Sequence, residues 1–100
     1  MPRTYHNLAL TPEYAARLRT NVRRAFSMTI RDLRLLKGVA QETLALEAEV
    51  DRGYMGTLER GESTPTLDTI FKLLPQLDID FVQFAALFEV NLKRARRKRH

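Results

Sequence analysis

Few side chains in this 100-residue sequence are equipped for chemistry, and they suit recognition better than bond making. His6 and His100 lie near the two ends, and there is no cysteine. No Ser/His/Asp set, glycine-rich phosphate loop or pair of carboxylates in a plausible cleft stands out. Asp78 and Asp80 flank a turn and are accounted for by capping. Neither an enzyme nor a metal or other cofactor is therefore expected. What remains is Arg52-Gly53-Tyr54-Met55-Gly56-Thr57. With Met55 and Leu58 turned inward, a helix here presents Arg52, Gly53, Tyr54, Gly56 and Thr57. A guanidinium fork such as Arg52 matches the two acceptors of guanine in the DNA major groove, a contact worth about 1–3 kcal/mol of discrimination. The competing reading of Arg52 is a solvated surface arginine. Tyr54 suits a thymine methyl or a phosphate, and equally suits covering the helix edge. Thr57, one turn on, reaches a base or the backbone. Gly53 and Gly56 each cost about 1 kcal/mol relative to alanine in a helix. A helix accepts that cost where its backbone approaches another surface closely, and DNA is the expected surface, with Gly53 at the groove.

These residues need a frame, and the stretch Gln41–Gly61 supplies one. Leu44, Ala48, Val50, Met55 and Leu58 fall where two short helices crossing steeply would face each other. Ala45 is small at the point of closest approach. Glu49-Val50-Asp51 is a three-residue turn that ends in a good N-cap, Asp51. The second helix, roughly Arg52 to Arg60, leaves through Gly61. Arg60 is placed for a phosphate, and the hydroxyls of Ser63 and Thr64 in the following loop can also meet a DNA backbone.

The flanking chain supplies the packing. Residues 1–10 lack periodicity and read as an irregular arm. Thr11-Pro12-Glu13 is a helix start with a hydroxyl cap, a proline at the first position and an acid in the first turn. Tyr14, Leu18, Val22, Phe26 and Ile30 recur every four residues, and Leu33 follows. This stripe fits one helix to Lys37, or two helices meeting near Thr20-Asn21; the break is favoured, giving a helical extension over 11–21. Gly38 ends the segment. Arg17, Arg19, Arg23, Arg24 and Arg31 lie mostly off the stripe, as either a solvated basic face or a phosphate-facing one. Further on, Thr66 caps a helix that offers Leu67, Ile70, Phe71, Leu74 and Leu77 to the core, with Pro75 expected to kink or shorten it. Asp80 caps a last helix whose Phe81, Phe84, Ala85, Phe88 and Leu92 should close the core. Val82, Ala86 and Val90, with Leu87 beside them, form a second apolar stripe, and two apolar faces require two neighbours. That stripe is the expected two-fold dimer interface.

Bulk composition bounds the rest. A chain this short buries about two-thirds of its unfolded surface and gains from a dimer contact. The absence of cysteine favours a reducing cytoplasm, and no apolar run approaches the roughly 18 residues of a membrane span. The net charge of +5 is uneven. Residues 1–37 hold eight Lys or Arg against two acids, residues 38–92 hold three against ten, and residues 93–99 add six cations. Attraction to phosphate must therefore come from the first helix, the terminal tail and a few placed arginines.

The segment from Ile30 to Gly61, I-R-D-L-R…G-V-A-Q-E-T-L-A…V-D-R-G-Y-M-G-T-L-E-R-G, resembles the lambda-repressor-like (Cro and repressor type, XRE) helix-turn-helix DNA-binding domain. The likeness continues through P-T-L-D-T-I-F-K-L-L and spans roughly Val22 to Phe88. The R-x-Y-M core is also similar to the controller proteins of restriction-modification systems. The resemblance implies that Gln41 holds a phosphate oxygen, and that Arg34 pairs with Glu59 of the L-E-R-G motif to clamp the first helix to the recognition helix. Two residues depart from the family pattern. Ala40 stands where serine or threonine usually caps, and Glu49 where glycine usually turns. Each departure should cost about 1 kcal/mol.

The sequence thus predicts an all-α, five-helix, lambda-repressor-like domain over 22–92, with the 11–21 extension and a basic tail over 93–100. The expected function is a transcriptional regulator that binds a pseudo-palindromic site on double-stranded DNA as a homodimer. One alternative is an antitoxin-type protein that neutralises a protein partner and represses its own promoter. Another is a nucleoid-type binder driven by the tail.

Overall fold

The computed structural model of the protein describes residues 11–97. Five α-helices follow in order: α1 (Pro12–Lys37), α2 (Gln41–Ala48), α3 (Arg52–Glu59), α4 (Leu67–Leu73) and α5 (Phe81–Arg97). A single 3₁₀ turn, Pro75–Leu77, separates the last two. The fold is the expected all-α one, and no strand occurs among the described residues.

The helix ends follow their side chains. Thr11, Asp51 and Thr66 each accept from the backbone N–H three residues on, at 2.9–3.1 Å. Asp80 and Gln83 cap each other reciprocally, at 2.8 and 3.0 Å, which satisfies two otherwise free donors at the start of α5. Ala40 offers α2 no side-chain cap. Glu49 takes the left-handed conformation at φ 58° and closes α2 through its N–H to the carbonyls of Ala45 and Leu46. Pro75 does shorten its helix. α4 stops at Leu73, and the chain continues as the 3₁₀ turn, because proline has no N–H to continue the α pattern.

Three expectations need correction. The break near Thr20-Asn21 does not occur, and α1 runs unbroken for 26 residues. Neither residue forces a stop, and the four-residue apolar spacing continues across the junction on one face. Residues 93–97 are not loose tail but the last turns of α5, with Ala95 fully buried. Within α5 the buried positions are Phe84, Asn91 and Ala95, whereas Phe81 and Ala85 are exposed. In α4, Leu73 enters the core, while Leu67 and Phe71 stay 61% and 51% exposed. The helix rotates because Leu73, Leu74 and Leu77 can be buried together only if Leu67 and Phe71 turn away.

The core joins Phe26, Ile30 and Leu33 of α1 to Leu44, Ala45 and Ala48 of α2, Met55 and Leu58 of α3, and Leu73, Leu74, Leu77 and Phe84. α1 is the spine, packing against both α3 and α5. One buried polar contact fixes how α5 lies on it. Asn91 Nδ2 donates to Thr29 Oγ1 at 2.9 Å, and Thr29 Oγ1 donates to the carbonyl of Ala25 at 2.8 Å. Arg94 Nη1 reaches Asn91 Oδ1 at 3.2 Å. A fully buried amide left without these partners would be costly, so the pair sets the register of α5 as well as its stability.

Glu49→Gly should stabilise the domain. Relief of left-handed strain outweighs the extra chain entropy of glycine by about 0.5–1 kcal/mol. The melting midpoint should rise by about 2–6 °C, as measured by circular dichroism.

Candidate nucleic-acid interface

The site is built on the pair α2–α3. The turn at Glu49 and the cap at Asp51 set the crossing, and Ala45, Ala48, Met55 and Leu58 fill it. The N-terminal half of α3 is thereby left facing solvent. Arg52 and Gly53 are exposed and Tyr54 is half-buried. Arg52 Nη1 lies 3.7 Å from Glu42 Oε2, both side chains being largely exposed. Such a pair is weak and exchangeable with water, so it leaves the guanidinium available to a ligand.

Beneath this surface lies a charged lock. Arg34 Nε donates to Glu59 Oε2 at 2.7 Å, and Arg34 Nη2 to Glu59 Oε1 at 2.9 Å. The Arg34 side chain is 15% exposed and that of Glu59 4%. A third donor, Nη1, meets the carbonyl of Val39 at 2.9 Å. The hydrogen bond from Glu59 raises the Arg34 pKa above its ordinary value, against the opposing effect of burial. Gln41 Nε2 also donates to Glu59 Oε1, at 3.1 Å. Ser27 Oγ donates to the Glu59 carbonyl at 2.6 Å. One glutamate at the end of α3 thus gathers α1, the α1–α2 turn and the start of α2.

Gly56 does not face outward as expected; it is buried. A Cβ there would lie 3.2 Å from Arg60 Nη1 and 3.7 Å from Gln41 Oε1. Its smallness makes room for side chains of the protein itself. Gly53 remains on the open surface.

The other expected contact residues are held by internal bonds. The Tyr54 hydroxyl donates to the carbonyl of Thr64 at 3.0 Å. Thr57 Oγ1 donates to the carbonyl of Tyr54 and accepts from Ser63 Oγ, both at 2.7 Å. Thr64 Oγ1 accepts from Arg23 Nε at 2.7 Å. Tyr54, Thr57, Ser63, Thr64 and Arg23 therefore form one connected edge that ties the loop after α3 back to α3 and α1. Sequence spacing could not reveal that α1 reaches this loop, since Arg23 and Thr64 are far apart in the chain. Arg60 stands beside Glu62, at 3.1 Å.

Of the stripe expected at an interface, Val82, Ala86 and Val90 are exposed, while Leu87 is partly buried against the core. A second apolar surface was missed. Exposed Phe71 and Phe81 stack at 5.1 Å between ring centroids, and the ladder continues through Phe84 to Phe88.

A short helix capped at Asp51, locked from behind by Glu59 and open along its first turns, is the second half of a helix-turn-helix. The chain belongs to that family. The helix-turn-helix profile matches residues 30–84, and the domain is of the XRE type found in DNA-binding transcription regulators. Among curated relatives, the HTH-type transcriptional regulator SutR of Escherichia coli is 34% identical over 64 residues, which cover 64% of this chain and 36% of SutR. The chain thus spans about a third of that relative. The control protein C.BamHI of Bacillus amyloliquefaciens is 34% identical over 71 residues, covering 67% of this chain and 88% of C.BamHI. Two solved restriction-modification controllers have the same fold. C.AhdI from Aeromonas hydrophila matches with a TM-score of 0.59 and 40% identity, over 62% of this chain and 94% of that one. The C.Esp1396I tetramer in complex with its natural 35 base-pair operator matches with a TM-score of 0.67 and 26% identity, over 72% and 95%.

Removing one partner of the lock strands the other charge. Arg34→Ala is expected to cost about 3–5 kcal/mol, read by urea denaturation. Gln41→Ala, which removes a single neutral donor, should cost about 1 kcal/mol or less.

Proposed function

We propose that this protein is a sequence-specific regulator of transcription of the controller type, which binds a two-fold-related operator as a homodimer. The observation that carries the reading is the open first turn of α3, with Arg52 and Gly53 on its surface and the α2–α3 pair held rigid behind it. The likeness to controllers, one of them solved on its operator, supports it. Arg52 reads a guanine edge. Gly53 lets the backbone come close, and Tyr54 and Thr57 contact bases beside it. Gln41, Arg60, Ser63 and Thr64 hold phosphates on either side and set the angle of entry.

The homodimer forms through exposed apolar surface at α5. Val82, Ala86 and Val90, with the edge of Leu87, provide the stripe, and the stacked pair Phe71 and Phe81 widens it. A stable interface buries on the order of 800 Å² on each partner, more than the narrow stripe alone supplies. Two copies related by a two-fold axis would present their α3 helices to successive major grooves about 34 Å apart.

Site selection from a random duplex library is expected to enrich a motif with two related half-sites about one helical turn apart. Arg52→Ala should weaken binding to that motif by about 1–3 kcal/mol and relax preference at one position of each half-site. No enrichment by the wild type would refute the reading and turn attention to a protein partner. Val82→Asp combined with Val90→Asp should shift the protein from dimer to monomer in sedimentation. A dimer that persists in this variant would place the interface elsewhere.

A further inference from the structure

We infer that α1 carries a second phosphate-binding surface, a cationic stripe that follows the DNA backbone beyond the part of the site read by α3. The inference rests on the DNA-binding reading and extends its footprint. Arg17, Arg24 and Arg31 are spaced seven residues apart on one unbroken helix. Seven residues bring an α-helix back to nearly the same face, with a drift of about 20°. The three guanidinium stems are thus aligned at intervals of about 10 Å. An interruption at Thr20-Asn21 would have broken that alignment, so it exists only because α1 is continuous.

Tertiary packing joins the stripe to the site. The exit of α3 rests on α1: a Cβ at Gly61 would lie 3.8–3.9 Å from the backbone of Arg23 and Arg24 and from the side chain of Ser27. Arg24 and Arg31 therefore share a shallow groove with Arg60. Arg31 also faces a second groove with Arg94, which the buried Asn91 holds in place. The acids nearby are Glu62, engaged by Arg60, and Asp32, beside Arg94. Arg17, Arg24 and Arg31 have no ion-pair partner among the described residues. An aligned, uncompensated row of guanidinium groups that starts where α3 leaves the groove is complementary to a row of phosphates. Arg17 and Arg24 lie outside residues 30–84, so the family match does not supply this surface. The competing occupant is an acidic protein face, such as Glu42, Glu47 and Glu49 of a second copy.

The test measures wild type and the triple variant R17Q/R24Q/R31Q on a mixed-sequence duplex of about 40 base pairs, long enough to extend past two half-sites. Phosphate contacts are sequence-independent, so no operator is needed. The slope of log affinity against log salt should become shallower by about two to three in the variant, close to 0.9 for each lost contact. Hydroxyl-radical footprints on a selected site should lose protection only at its flanks. An unchanged slope with wild-type binding intact overturns the inference and leaves the regulator reading standing. A wild type that binds neither mixed nor selected DNA fails both. If the variant instead loses self-association in sedimentation without DNA, the stripe meets protein and the inference is wrong. Circular dichroism confirms that the variant is folded, and R17K/R24K/R31K, which keeps the charge, should retain most of the slope.

Discussion

The rest of the structure depends on the carboxylate of Glu59. It is almost fully buried, takes two bonds from Arg34 and one from Gln41, and sits at the last turn of α3. A buried charge is tolerated only when its lone pairs are filled, so these partners must be present together. Satisfying them fixes the distance from α1 to α3 and the position of the α2 start. Gly56 is part of the same arrangement, since only a residue without a side chain leaves Arg60 and Gln41 room above the helix. The lock therefore works less as a source of net stability than as a device that holds a short, otherwise marginal helix at one angle. An eight-residue helix has little stability of its own, and a reader of DNA needs its first turn placed to within a fraction of a base step.

Around this lock the molecule is divided by charge and by polarity. α2 carries its acids, Glu42, Glu47 and Glu49, while α1 and the end of α5 carry most of the arginines. Apolar surface left after the core is filled gathers at α4 and α5, where Phe71, Phe81, Val82 and Val90 remain open. A small domain cannot bury all of its large side chains, and the residue is concentrated where a second copy can take it up. Recognition, backbone attraction and self-association thus occupy different faces of one spine, α1, and need not compete.

The edge formed by Tyr54, Thr57, Ser63, Thr64 and Arg23 bears on specificity. These polar groups are bonded to one another in the free protein. Each would exchange an internal bond for one to DNA, so its net contribution is the difference between two bonds. Arg52, with only a long contact to a solvated Glu42, gives up little. Discrimination should therefore be concentrated on Arg52 in each subunit, with spacing and DNA shape supplying the rest.

Local rules read directly from the sequence account for the helix starts at Thr11, Asp51, Thr66 and Asp80, the uncapped Ala40, the strained turn at Glu49 and the stop at Pro75. Each depends on side chains within a few residues of the backbone groups they serve. The helix-turn-helix itself was legible because Q-E-T-L-A and L-E-R-G stand at a fixed separation with the right apolar residues between them. Several features required the tertiary structure. A four-residue apolar stripe fits one helix or two, and only packing against α3 and α5 gave α1 its single unbroken course. Periodicity assigned Leu67, Phe71 and Phe81 to the core, but the rotation of a helix is set by its neighbours, and Leu73 and Asn91 took the inward places instead. Asn91 could not be found by pattern, because a polar residue is inward only where a partner such as Thr29 awaits it. The long-range bonds of Arg23 to Thr64 and of Asn91 to Thr29 join residues far apart in the chain. No local signal encodes such a meeting, and folding alone decided it.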